Sequence, residues 1–167
     1  MKAASLIKKG SQMPVCSNPI AEKLINLTSN SEEETFAIGE RIAKHLLPGS
    51  VIALSGTLGS GKTILTKGIA SGLGLTENLT SPTYTIINEY PLPNIKNTLF
   101  HIDAYRLNNN KDFEDINGLE IVNSKGICII EWSCRIKESL PPETINISIE
   151  IIDNDIRKIK ITGLENL

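Results

Sequence analysis

Apolar and polar residues follow two periods along the chain, and these predict strands and helices in turn. A short strand is predicted at 24–27, and the continuous apolar run at 51–55 is typical of a strand buried on both faces of an α/β sheet. Between them, Ser31 with Glu34 three residues later forms a capping box that predicts a helix start, and a Pro-Gly pair at 48–49 ends that helix. The apolar positions assigned to its buried face are Phe36, Ala37, Ile42, Ala43, Leu46 and Leu47.

The middle of the chain continues the pattern. A helix is predicted at 64–73 and a polar loop at 76–83. Two β-rich segments follow at 84–90 and 98–103, and Pro91-Leu-Pro-Asn joins them in a connection like that of a hairpin.

The last part of the chain adds short helices and three strands. One or two short helices are predicted within 111–124, and a buried strand at 126–131. Isoleucines then alternate at every second position through 145–151, and a turn at 153–155 leads into Ile156, Ile159 and Ile161. The sequence therefore predicts an α/β fold that closes with a C-terminal antiparallel hairpin.

Size and composition fit one domain. The chain has 167 residues, of which 40% are hydrophobic and 22% charged, as in ordinary globular proteins. We expect a single domain at 23–167, preceded by a flexible N-terminal extension at 1–22. No apolar run approaches the ~20 residues that span a bilayer, and 1–22 lack the hydrophobic stretch of a secretory signal. We therefore expect a cytoplasmic protein with no membrane partner.

The charge balance limits the role of nucleic acid. The formal net charge is −2, which is not the basic footprint that sequence-independent binding to phosphate backbones requires. If the protein serves RNA, we expect a partner to hold the RNA.

The strand at 51–55 runs directly into a phosphate-binding loop. Glycines at such a loop allow positive φ and close approach of backbone N–H groups to phosphates, a lysine reaches the β and γ phosphates, and a threonine hydroxyl can bind Mg²⁺. Strand, loop and helix occur in the required order, so the sequence predicts a P-loop NTPase fold with a central, mostly parallel sheet flanked by helices. The complete Walker A motif is Gly56, Thr57, Leu58, Gly59, Ser60, Gly61, Lys62 and Thr63.

Two acids end predicted strands. Asp103 follows the strand at 98–102 and Glu131 follows the strand at 127–130, where the ligand crevice of a parallel sheet lies. A P-loop enzyme needs such a carboxylate to hold its metal directly or through water, and either acid can serve. His101 lies two residues before Asp103 and so points to the same face, where it either orients that acid or contacts a partner, or is a structural histidine.

Four motifs together resemble the bacterial TsaE family, also called YjeE. They are the Walker A motif, Ser81-Pro-Thr-Tyr84, His101-Ile-Asp103-Ala-Tyr105-Arg106 and Glu131-Trp132, and the resemblance covers roughly residues 24–152. It implies the ATPase of tRNA threonylcarbamoyladenosine biosynthesis, which works with TsaD and TsaB after TsaC has made the threonylcarbamoyl-adenylate. The tRNA would be reached only through these partners.

The resemblance also implies roles for single residues, with ATP and Mg²⁺ as cofactors. Lys62, Asp103 and Glu131 would be catalytic, and Thr63 with Glu131 would hold Mg²⁺. The family often has an acid at the second loop position, where this chain has Thr57, so no side-chain role is assigned there. The implied nucleotide-binding residues are Ser31, Gly56, Thr57, Leu58, Gly59, Ser60, Gly61, Lys62, Thr63, Ile64, Thr83, Trp132 and Arg135.

Two other functions fit a P-loop. A small nucleotide or metabolite kinase would need an arginine-rich lid over its acceptor, but the arginines are scattered through the chain. A nucleotide-gated adaptor would bind ATP without turning it over, although two strand-end acids favour hydrolysis. The arginines are Arg41, Arg106, Arg135 and Arg157.

Overall fold

A seven-stranded sheet forms the centre of the computed structural model, which describes residues 23–77, 79–82, 84–93 and 97–167. The expected extension at 1–22 and the nucleotide-binding role of Thr83 lie outside the described residues. The strands are β1 (Ile25–Ser29), β2 (Val51–Ser55), β3 (Ile87–Leu92), β4 (Asn97–Asp103), β5 (Ile127–Glu131), β6 (Ile145–Ile151) and β7 (Arg157–Thr162). The helices are α1 (Glu32–Ala43), α2 (Lys62–Gly72), α3 (Asn110–Asp115) and α4 (Gly118–Val122).

The sheet is parallel at its centre and antiparallel at both margins. Its strand order is β1-β7-β6-β2-β5-β4-β3, and the four strands β6, β2, β5 and β4 run parallel. The β6–β7 hairpin confirms the predicted C-terminal hairpin, and β3 pairs antiparallel with β4 at the other margin. The first strand pairs with the last, so that Ile25 faces Ile161 and Leu27 faces Ile159.

Alternate residues of the central strands enter two separate cores, as expected for a sheet buried on both faces. Ile52 and Leu54 of β2 lie in the core beneath α1 and α2, whereas Val51 lies in the opposite core with Phe113 of α3 and Val122 of α4. The molecule is thus a three-layered α/β fold. Across the described part of the chain, no helix is long and apolar enough to cross a bilayer.

Glycines bring α1 and α2 into close contact. A Cβ atom on Gly39 would lie 2.5 Å from the carbonyl oxygen of Leu65, and one on Gly68 would overlap the carbonyl oxygen of Phe36. The two backbones can approach this closely only because both positions lack a side chain. The same contact sets the first turn of α1 beside the phosphate-binding loop, where Thr35 Cγ2 is 3.7 Å from the position of a Cβ on Gly61.

The predicted extent and face of the first helix were partly wrong. The helix ends at Ala43, and Ala37 and Leu47 are exposed, Leu47 to 70%. Its buried face includes Thr35 and Gly39, because close helix packing selects small residues over large apolar ones. The capping interaction was predicted correctly, since Ser31 Oγ accepts a hydrogen bond from the backbone N–H of Glu34.

The predicted strand at 84–90 is displaced along the chain. Ile86 has a positive φ of 68°, which breaks the extended backbone, and β3 begins only at the next residue. Pro91 and Leu92, predicted to lie in the connection, pair with β4 instead. A proline is tolerated there because β3 is an edge strand, with one side free of ladder hydrogen bonds.

Candidate active site

A cleft of about 450 Å³ opens at the carboxyl ends of β2, β4 and β5. The turn after β2 forms its floor, the first turn of α2 forms one wall, and the two acids that end β4 and β5 form another. Ligands bind at this edge of parallel sheets in α/β folds. The lining residues are Glu32, Leu58, Gly59, Ser60, Gly61, Lys62, Thr63, Ile64, Ser81, Asp103, Tyr105, Glu131 and Trp132.

The floor has the backbone of a phosphate-binding loop. Gly56, Gly59 and Gly61 have φ values of 150°, 74° and 101°, as the motif predicted. Helix α2 begins directly at Lys62, so the unpaired N–H groups of its first turn point into the cleft. Such a turn attracts anions through both its donors and the helix dipole.

Lys62 is held inside the loop. Its Nζ donates hydrogen bonds of 2.9 Å to the carbonyl oxygens of both Gly56 and Thr57, and it lies 4.0 Å from the centroid of the Trp132 ring. Burial lowers the pKa of this ammonium, and the negative charges of Glu131 and Asp103 oppose that shift. The cleft therefore contains a positive charge beside two carboxylates.

Glu131 connects the loop to β4. The hydroxyl of Thr63 donates to both carboxylate oxygens of Glu131, at 3.1 Å and 3.2 Å. On the other side, Nε2 of His101 lies 3.0 Å from Glu131 Oε1. These contacts join the start of α2, the end of β5 and the interior of β4 through one carboxylate.

Asp103 lies beside Glu131 at the same edge of the sheet. The two acids are direct partners in the register of β4 and β5, and both are almost fully buried. Asp103 Oδ1 accepts a hydrogen bond of 3.0 Å from the backbone N–H of Tyr105, which caps the 3-10 turn Ala104–Arg106. The sequence prediction that both strand-end acids meet at one crevice is thus seen in the structure.

Trp132 closes one side of the cleft. Its left-handed backbone, with φ of 59°, turns the chain at the end of β5, and its ring packs against Tyr105 with centroids 5.0 Å apart. The next residue anchors this turn, because Ser133 Oγ donates to the carbonyl oxygen of Leu54 on β2. The indole is thereby fixed over Lys62.

Most of the predicted site residues line this cleft, but Ser31, Gly56, Thr57 and Arg135 do not. Gly56 and Thr57 instead accept hydrogen bonds from Lys62 through their carbonyl oxygens. Ser31 lines a smaller neighbouring cavity together with Gly61 and Ile64. Arg135 lines neither cavity; its Nη1 donates to the carbonyl oxygen of Leu107, and its guanidinium lies 5.3 Å from the ring centroid of Tyr105. In this arrangement Arg135 supports Tyr105 and does not face the phosphate-binding loop.

Several lining residues were missed by sequence reasoning. Glu32 and Tyr105 line the main cleft, and Asp155 and Arg157 line the smaller cavity. Tyr105 lay within a recognised motif but had been given no role. Asp155 and Arg157 had no local signal, because they reach the loop only through the pairing of β7 between β6 and β1.

The family model described as Threonylcarbamoyl adenosine biosynthesis protein TsaE matches residues 29–159. The chain belongs to the TsaE family. Among its relatives is the tRNA threonylcarbamoyladenosine biosynthesis protein TsaE of Treponema pallidum, 40% identical over 80% of this chain and 96% of that protein. The protein of the same name from Bacillus subtilis is 42% identical over 80% of this chain and 82% of its own.

A solved structure supports the same relationship. The crystal structure of Bacillus subtilis YdiB superposes with a TM-score of 0.69 at 35% sequence identity, and covers 86% of this chain and 88% of its own. The match confirms the P-loop fold that the sequence predicted. The TsaE family model extends from the end of β1 into β7 and so includes every element that lines the cleft.

Proposed function

We propose that this chain binds ATP with Mg²⁺ at the P-loop and hydrolyses it to ADP and phosphate. This reaction would support formation of the threonylcarbamoyl group on the anticodon-loop adenosine of tRNAs that read codons beginning with adenine. The supporting observation is the convergence of Lys62, Thr63, Asp103 and Glu131 on one cleft of about 450 Å³ above a phosphate-binding loop. Membership of the TsaE family supports the choice of pathway.

Binding of the triphosphate would use backbone N–H groups at the start of α2 and a lysine that is now paired within the protein. The phosphates would take the N–H groups of the loop and of the first turn of α2, and the Lys62 ammonium would exchange the carbonyl oxygens of Gly56 and Thr57 for phosphate oxygens. Each exchange replaces a neutral acceptor with a charged one. The binding energy therefore depends on Lys62 more than on any other side chain of the loop.

The residues at the start of α2 and at the end of β5 fit Mg²⁺. Thr63 and Glu131 offer only oxygen atoms, which this hard cation prefers, and they are already in contact. In the described parts of the chain, no group of three or more His, Cys, Asp or Glu residues could hold a metal alone, which suits an ion bound together with phosphates. Thr63 and Glu131 would hold Mg²⁺, and the ion would neutralise charge on the phosphate oxygens.

Asp103 would act on water. Its Oδ1 is held by the Tyr105 N–H, so the carboxylate is fixed at the cleft wall beside Glu131. A fixed carboxylate can orient the attacking water and accept its proton. Since positioning and charge neutralisation dominate phosphoryl transfer, we expect the isolated chain to be slow and binding of TsaB and TsaD to raise its rate.

The lining of the cleft bears on the alternatives. Arg41, Arg106, Arg135 and Arg157 are all absent from the residues that line it, which disfavours a kinase with an arginine-rich lid. An adaptor without turnover would need no second acid, whereas Asp103 and Glu131 are both present and buried at the wall. The net charge of −2 favours contact with tRNA through the partners and not directly. We propose that the protein acts in the cytoplasm.

A multiple-turnover tRNA modification assay tests the proposal. Purified TsaB, TsaD, tRNA and threonylcarbamoyl-adenylate would be incubated with ATP and Mg²⁺, with or without this protein, while ADP release is measured in parallel. We expect repeated cycles only with the wild-type chain and with Lys67→Ala, a lysine of the same helix that does not line the cleft. Lys62→Ala should abolish both readouts. Modification that cycles equally well without the protein would overturn the proposed function, and cycling without ADP release would favour the adaptor.

A further inference from the structure

His101 is fully buried within β4, and its side chain has one polar contact among the described residues. Its Nε2 lies 3.0 Å from Glu131 Oε1, while its Nδ1 is buried without a hydrogen-bond partner in the described structure. We propose that His101 is a positioning residue that fixes the orientation of the Glu131 carboxylate for Mg²⁺. This inference rests on the proposed function, in which Glu131 holds the metal.

The direction of the contact follows from the chemistry of the two groups. A carboxylate has no proton to donate, so the ring nitrogen that faces Glu131 must carry the hydrogen. The other ring nitrogen, Nδ1, is then a buried polar atom without a hydrogen-bond partner among the described residues. An unpaired buried polar atom costs free energy that a leucine at this position would not cost. A purely structural role gives no reason for that cost, whereas orientation of the carboxylate does.

The two oxygens of Glu131 are held unequally. Among the described residues, Oε1 accepts from both Thr63 and His101, whereas Oε2 accepts only from Thr63. The Thr63 hydroxyl has a single proton, so while its oxygen served the metal it would hold Glu131 through one hydrogen bond at most. The carboxylate can then rotate about its terminal torsion, which is soft in glutamate, unless His101 holds Oε1.

The neighbouring acid makes such a hold necessary. Asp103 is the direct register partner of Glu131 and carries the same charge, so the two carboxylates repel each other in a buried wall. Each acid has its own donor from β4 or the turn after it, Tyr105 N–H for Asp103 and His101 for Glu131. These two donors keep the carboxylates in separate orientations.

Three variants separate positioning from packing. His101→Leu keeps much of the apolar volume and removes the donor, whereas His101→Gln keeps an N–H donor that can reach Glu131. Glu131→Gln serves as the reference for loss of the metal ligand itself. If His101→Leu does not fold, His101→Asn replaces it, since its shorter amide cannot reach Glu131.

The measured quantity is the affinity for a non-hydrolysable ATP analogue as a function of Mg²⁺ concentration. Calorimetric titrations give this affinity over a range of Mg²⁺ concentrations and in EDTA. Loss of a residue that orients a metal ligand commonly lowers metal affinity by about 10- to 100-fold. We therefore expect His101→Leu to raise the Mg²⁺ concentration at half-saturation by about 10-fold or more. The His101→Gln variant should keep this concentration close to that of the wild type. Affinity in EDTA should stay within about 2-fold of wild type for both.

Each outcome distinguishes the inference from the proposed function. If Glu131→Gln shifts the Mg²⁺ dependence and His101→Leu does not, the positioning role of His101 is wrong and the metal site stands. Equal shifts in the Leu and Gln variants would likewise refute positioning, since packing alone would then explain them. If Glu131→Gln has no effect on Mg²⁺ dependence, both the metal assignment and this inference are wrong.

Discussion

The ammonium of Lys62 lies 4.0 Å from the centre of the Trp132 ring while it donates to two carbonyl oxygens of its own loop. Thr63 is engaged in the same way, since its hydroxyl donates to Glu131. Both side chains that would meet the phosphates and the metal are thus paired within the protein. Binding of nucleotide must exchange these contacts, and this exchange should be measurable.

Trp132 should report nucleotide binding through its fluorescence. It is the only tryptophan of the chain, so its emission is not mixed with that of another indole. Movement of the ammonium from the ring face to the phosphates changes the field at the indole, and we expect a change in emission when ATP is added. Lys62→Met should already differ from wild type without ATP and should respond little to it. Calorimetric binding of ATP by the wild type with unchanged emission would contradict this expectation.

Asp103→Asn should separate hydrolysis from binding. The amide oxygen of asparagine can still accept from Tyr105 N–H, so the turn after β4 should persist and thermal stability should change little. Loss of the base should lower turnover by about 100-fold or more, the usual range for removing general acid–base catalysis. ATP affinity measured by calorimetry should stay within a few-fold of wild type. Asp112→Asn, outside the cleft, is the matched control, and a fall in its turnover of similar size would argue for a general charge effect.

The charge of Lys62 should make ATP affinity depend on alkaline pH. Burial lowers the pKa of this ammonium below its ordinary value of 10.5, so its charge is lost at lower pH than that of an exposed lysine. ATP affinity should therefore fall as pH rises through the lowered pKa. Lys62→Arg keeps its charge over this range, so its ATP affinity should depend less on pH. Calorimetric titrations of both proteins with ATP at several pH values check this difference.

The loss of the Lys62 proton should affect folding stability in the opposite direction to ATP affinity. Between the lowered pKa of Lys62 and its ordinary value, the unfolded chain binds more protons at this residue than the folded chain does. The free energy of unfolding therefore gains a contribution that rises with pH in this window. The difference between wild type and Lys62→Met in denaturant titrations isolates that contribution, and a difference that falls with pH would contradict the pKa shift.

The sequence was sufficient for features that depend on local pattern. The run at 51–55, the loop that follows it and the acids Asp103 and Glu131 each come directly from residue types at fixed positions. Their meeting at one edge then follows from the rule that parallel strands end together. The capping contact of Ser31 was equally local, because a cap involves neighbours within one turn.

Features that depend on distant contacts could not be predicted in the same way. The pairing of β1 with β7 joins the two ends of the described chain, and no local pattern selects that partner. Arg135 turns to the Leu107 carbonyl and the Tyr105 ring because those groups lie beside it only after β4 and β5 pair. The sequence left open whether His101 orients Asp103, contacts a partner or is structural. Its contact with Glu131 was not predicted, because only the register of β4 on β5 brings these two residues together.

Two glycines of the loop should differ sharply in their tolerance of alanine. A Cβ on Gly56 would lie 2.5 Å from the carbonyl oxygen of Ile149 and 2.7 Å from Ser60 Oγ, whereas one on Gly59 meets no described atom within 4 Å. Both positions have positive φ, which costs alanine roughly 1–3 kcal/mol. Gly56→Ala should lose about 1–3 kcal/mol more through overpacking against the fixed backbone of β6.

Denaturant unfolding and ATP titration of the two variants check this difference. Gly59→Ala should remain folded and should still bind ATP, because its loop keeps its path. The strain of the positive φ should reduce the affinity. Gly56→Ala should be the less stable variant and should lose ATP binding, since the loop must move away from β6 to accommodate the methyl group. Equal losses of stability in the two variants would mean that backbone strain alone, and not the close approach of the loop to Ile149, requires glycine at position 56.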